Sequence, residues 1–133
     1  MSVTLSPAQK STLRTAAYGA VTLMSFADVA GSPHKVATDG TLSLYSATGP
    51  VGHVLAAKKR DFTLNARSAA VLAEQVFPAL AESARLLAER DAAEAENFRA
   101  TVTVAVQAAA AASKGGPAVA EMARKVTEAL SAV

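Results

Sequence analysis

The sequence contains no cysteine. That removes disulfides, thiolate metal sites and cysteine nucleophiles together, and it fits a reducing compartment, so the cytoplasm is the expected location. Tryptophan is also absent, and aromatic residues make up only 5% of the chain. A thin core built by close approach of small side chains is therefore expected. Charge of one sign is equally scarce: 13 Lys and Arg stand against 11 Asp and Glu, leaving +2. So small an excess is no footprint for nucleic acid. Long apolar runs are missing too, because the longest low-polarity stretch, residues 102–112, is interrupted by Thr103 and Gln107 and is too short to span a bilayer. The first seven residues lack the basic region and apolar run of a secretory signal. Neither nucleic acid nor membrane is expected as a partner.

What is present is alanine, the commonest residue, within a hydrophobic share of 51%. Alanine favours helices more than it fills cores. A chain of 133 residues reads as a single helical domain, 1–133, burying on the order of two thirds of its unfolded surface. Ser6-Pro7-Ala8-Gln9 opens a first helix, since Ser6 caps, Pro7 needs no N–H partner in the first turn, and Gln9 stands where a capping box places its acceptor. Over residues 7–28 the apolar stripe of Leu13, Ala16, Ala17, Ala20, Leu23, Met24 and Ala27 follows the helical period. Tyr18, Val21 and Phe26 lie off that stripe, so this helix is either central in its domain or shared with another chain.

Ser32-Pro33 repeats the cap-and-proline start, and a second helix over 33–47 is expected from Val36, Gly40, Leu44 and Ala47 at helical spacing. Asp39-Gly40 between two short runs also fits a hairpin at 35–45, the alternative, because a tight turn needs residues tolerant of positive φ. A short helix at 50–57 follows the Gly49-to-Gly52 break. The pattern then predicts a helix over 64–90, kinked at Pro78 where the proline N–H is lost. Asp91-Ala92-Ala93-Glu94 reads as a capping box opening a helix over 92–113, and Gly115-Gly116-Pro117 ends it and starts the last, 117–132. The fold class is all-α, an irregular bundle of five to six helices.

Candidate chemistry is sparse. His34 and His53 are the only histidines and share no ligand spacing with carboxylates, so no metal and no other cofactor is expected. No nucleophile elbow and no convergent set of polar groups points to a catalytic residue, and an enzyme ranks third among the functional readings. Lys58, Lys59 and Arg60 are a candidate anion contact, though three cations beside Asp61 also describe an ordinary solvated linker. The leading expectation is a non-catalytic protein that acts through protein–protein association, most simply as a homodimer, with Tyr18, Val21 and Phe26 as interface candidates. The alternative is a small-molecule ligand held in an apolar pocket near residues 45–53 and contacted by Tyr45 and His53.

Overall fold

The computed structural model describes the whole chain except residues 1–3, 29, 30, 32, 58–61, 132 and 133. Its elements are α1 (Pro7–Ala27), α2 (Pro33–Tyr45), α3 (Gly49–Ala56), α4 (Ala69–Arg90), α5 (Ala92–Ala112) and α6 (Pro117–Ser131). Among the described residues there is no strand. The molecule is an all-α bundle in which α1 and α5 each touch the other five helices. The two apolar sides of α1 follow from that position. Leu13, Ala16, Ala17, Ala20, Leu23 and Met24 are buried on one stripe, and Val21 is buried on the other.

The start of α1 forms as the sequence dictates. The Ser6 hydroxyl accepts from the Gln9 amide at 3.1 Å while the Gln9 side chain accepts from the Ser6 amide at 2.9 Å. Two N–H groups that the first turn would leave without partners are thereby satisfied. The cap expected at Ser32 lies outside the described residues.

The hairpin at 35–45 does not form, for Asp39 and Gly40 lie in the middle of α2. Gly40 is there for proximity. A Cβ on it would sit 2.7 Å from Val21 Cγ1 and 3.4 Å from the Ala105 carbonyl oxygen, so it marks where α2 crosses α1 and α5. Gly19 does the same on α1, where a Cβ would lie 2.3 Å from Val76 Cγ2 of α4. Small residues at the crossings let helix axes approach closely, which is how a chain poor in large side chains reaches native packing density.

Helix α4 starts at Ala69 and not at residue 64. The Gln75 amide grips the irregular backbone ahead of it, accepting from the Asn65 N–H at 2.8 Å and donating to the Thr63 carbonyl at 2.7 Å. Ser68 then caps, its hydroxyl accepting from the Val71 amide. With its backbone groups satisfied in this way, the segment has an alternative to the helical ladder that the apolar period implied. Helix α4 continues through Pro78, which faces solvent. On the outer surfaces Arg85 pairs with Glu82 and Glu89, and Arg124 with Glu121 and Glu128. These exposed pairs contribute little to stability.

Candidate functional site

Helix α2 turns Val36, Gly40 and Leu44 inward, so the opposite stripe of His34, Ala37, Thr38, Thr41, Leu42 and Tyr45 faces out. A shallow cleft of about 350 Å³ runs along that stripe. Leu42 is 58% exposed and Tyr45 45% exposed. They are large apolar groups beside the small Ala37, Thr38 and Thr41, so ridge and trough lie on one helix face.

A second cleft of about 200 Å³ lies where the α2–α3 turn meets α5, lined by Ser43, Ser46, Ala47 and Thr48 together with Asn97, Ala100, Thr101 and Val104. Two of its lining residues are joined, Asn97 donating to the Thr48 carbonyl at 2.8 Å. The start of α3 beside it is capped from another helix. The Thr48 side chain makes no cap bond, and the Glu94 carboxylate of α5 accepts from the Val51 amide at 3.1 Å. Glu94 therefore does not complete the capping box expected at residues 91–94; Asp91 alone caps α5, accepting from the Ala93 amide at 3.0 Å. A carboxylate already occupying the positive end of α3 leaves that terminus unsuited to a phosphate or other anion.

The opposite end of α3 is held by α1. Arg14, 2% exposed, donates from Nε to the Val54 carbonyl at 3.0 Å, and the Tyr18 hydroxyl donates to the Leu55 carbonyl at 2.5 Å. Two of the carbonyls that the last turn leaves without helical partners are thus satisfied, one of them by a cation at the negative end of the helix. Tyr18 also stacks on Phe62, with ring centroids 5.6 Å apart and planes inclined by 18°. Its phenol is pushed up to about 12, first by burial and then by the neighbouring Tyr45 hydroxyl, while Arg14 acts in the opposite sense.

The candidate residues divide accordingly. Val21 is 2% exposed and packed against Gly40, and Tyr18 is half-buried and fully engaged, so both are covered by α2 and α3 of the same chain. Phe26 is 38% exposed. Tyr45 lines the α2 cleft, whereas His53 faces solvent on α3 and lines neither cleft. Lys58, Lys59 and Arg60 lie outside the described residues. Arg14 and Asp28 carry no motif and were not foreseen, and Glu94 was expected only as the capping-box acceptor of α5; the one available sign for Arg14 was that Arg14, Tyr18 and Val21 repeat at helical spacing on the second side of α1.

Among the described residues no three His, Asp or Glu side chains come together as metal ligands. No described helix is long and apolar enough to cross a membrane. No protein-family model, curated protein or solved structure matches the chain.

Proposed function

We propose that this protein acts by association, and that its first partner is a second copy of itself bound through the outward face of α2. The observation that supports this reading is the pairing of Leu42 and Tyr45 with a trough of Ala37, Thr38 and Thr41 on the same face. A surface that carries both ridge and trough is self-complementary, which is what a twofold interface requires, since each copy presents the same patch. Packing α2 against its symmetry mate would cover both large side chains by the geometry that joins helices inside the bundle.

Size sets the strength. Residues 34–45 span roughly 17 Å of helix, well short of the 20 to 30 residues per side of a standard stable interface. Association is therefore expected to be reversible, with a dissociation constant between about 10 µM and about 1 mM. Sedimentation velocity from about 10 µM to about 1 mM brackets that range. A rising weight-average mass that Leu42→Asp abolishes without lowering the melting temperature is the expected result. A monomer throughout that range overturns self-association.

The second reading, a small ligand, has the 200 Å³ cleft beside residues 43–48 in its favour. That volume is below the roughly 300 Å³ at which ligand pockets begin, and the 350 Å³ cleft that Tyr45 lines is shallow and is not lined by His53, so this reading ranks behind association.

A further inference from the structure

Granted self-association through α2, on which this proposal rests, a twofold axis can pair the two helices in either direction. In a parallel pair each residue meets its own copy, so Leu42 would meet Leu42 and Tyr45 would meet Tyr45, ridge on ridge. In an antiparallel pair centred between Thr38 and Thr41 the order reverses. Leu42 then lies over the partner's Ala37, Thr38 over the partner's Thr41, and Tyr45 over the partner's His34, large on small along the whole stripe. The helix ends favour the same direction. Helix α2 has no acidic residue in its first turn and no basic residue in its last, so its positive end carries His34 and Lys35 while its negative end has no counter-charge of its own. Antiparallel packing lays the first turn of each copy on the last turn of the other.

We propose that two copies pack α2 antiparallel and that protonation of His34, seated on the partner's Tyr45 and the carbonyl end of the partner's α2, strengthens their association. In the monomer an imidazolium at this position stands at the positive end of its own helix, which opposes the charge. In the dimer it gains the negative end of a second helix and the face of an aromatic ring, both of which favour it. Tyr45 directs its hydroxyl to Tyr18 and is still 45% exposed, so the ring is what it presents. Lys35 repels the imidazolium in monomer and dimer alike and drops out of the difference. The partner's Asp39, roughly 9 Å of helix before its Tyr45, acts in favour. The partner's Arg14, beyond Tyr18, acts against, but it is buried with its Nε on the Val54 carbonyl. His34 is exposed at the rim of the patch, so it keeps most of its hydration and burial opposes the charge little. A histidine that holds its proton more firmly in the dimer makes association tighten as pH falls from about 8 to about 5.

Sedimentation velocity at about pH 8 and about pH 5.5 tests the linkage. Wild type should associate about tenfold more tightly at the lower pH. His34→Gln should be equally weak at both, and His34→Arg, a permanent planar cation, equally tight at both. Association whose strength ignores pH overturns the linkage and leaves self-association standing, and an undiminished pH response in His34→Gln overturns it as well. No association at either pH sinks self-association itself. Direction is read separately by disulfide cross-linking, since the chain has no cysteine. A mixture of Ala37→Cys and Leu42→Cys should give a linked dimer. Leu42→Cys alone should not, because the antiparallel register holds its two copies beyond the roughly 7 Å that a disulfide spans. Linking of Leu42→Cys to itself, with none to Ala37→Cys, marks a parallel pair and overturns the proposal.

Discussion

The Arg14 Nε lies 3.0 Å from the carbonyl oxygen of Val54, with the guanidinium buried between α1 and α3. This is a helix C-cap supplied from a residue 40 positions away. Short helices are marginal by themselves, and α3 has only eight residues, so its form depends on what its neighbours do at each end.

Replacing Arg14 by Met keeps most of the apolar stem and removes the donor. The Val54 carbonyl then stays buried without its partner, at a cost of about 1 to 3 kcal/mol. Urea denaturation should show the midpoint falling with an unchanged slope, and the melting temperature should drop by roughly 4 °C per kcal/mol for a domain of this size. A variant as stable as wild type would show that this bond contributes nothing net.

Tyr18 adds a pH dependence. Its phenol is held above the ordinary value of 10.0, at about 12, chiefly by burial and then by Tyr45, so the folded protein keeps a proton that the unfolded chain releases. The resulting stabilisation is complete below about pH 10 and is lost as pH rises from about 10 to about 12. Tyr18→Phe should cost on the order of 1 kcal/mol at neutral pH through loss of the bond to Leu55. Between about pH 10 and about pH 12 the stability gap between wild type and variant should narrow. A gap independent of pH would mean that the Tyr18 phenol has the same affinity for its proton in both states.

The difference between what the sequence disclosed and what it concealed is a difference between local and distant partners. The Ser6 and Gln9 cap was legible because its donors and acceptors are three residues apart. Helical spacing exposed the inward stripe of α2, yet Asp39-Gly40 resembled a turn, because a glycine required by a crossing helix and one required by positive φ look the same in a sequence. Among the described residues the positive-φ glycines are Gly49, Gly115 and Gly116, all outside helix interiors. Residues 64–68 continued an apolar period, and the distant Gln75 amide, with the Ser68 cap, explains why they stay outside the helix. The surplus apolar side of α1 was visible, but whether it met another chain or its own α2 and α3 depended on Gly40 lying against Val21. The outward stripe of α2 became apparent only once the inward one was fixed by packing.

Glu94 puts the same distinction to a test. Its position three residues after Asp91 fits a local capping box, but its carboxylate holds the Val51 amide at the start of α3. If that bond is its role, Glu94→Ala should cost about 1 kcal/mol, the usual cost of a lost N-cap, and the loss should be felt in α3 and not in α5. Glu94→Gln keeps an acceptor oxygen while removing the interaction of a negative charge with the α3 dipole, so it should fall between, by a few tenths to about 1 kcal/mol. Amide hydrogen exchange separates the two helices, since Asp91 still caps α5 in both variants. Faster exchange at the first amides of α3, ordered Ala over Gln over wild type, is the expected result. Faster exchange at the start of α5 with α3 unchanged would return Glu94 to the capping box and leave the positive end of α3 without its counter-charge.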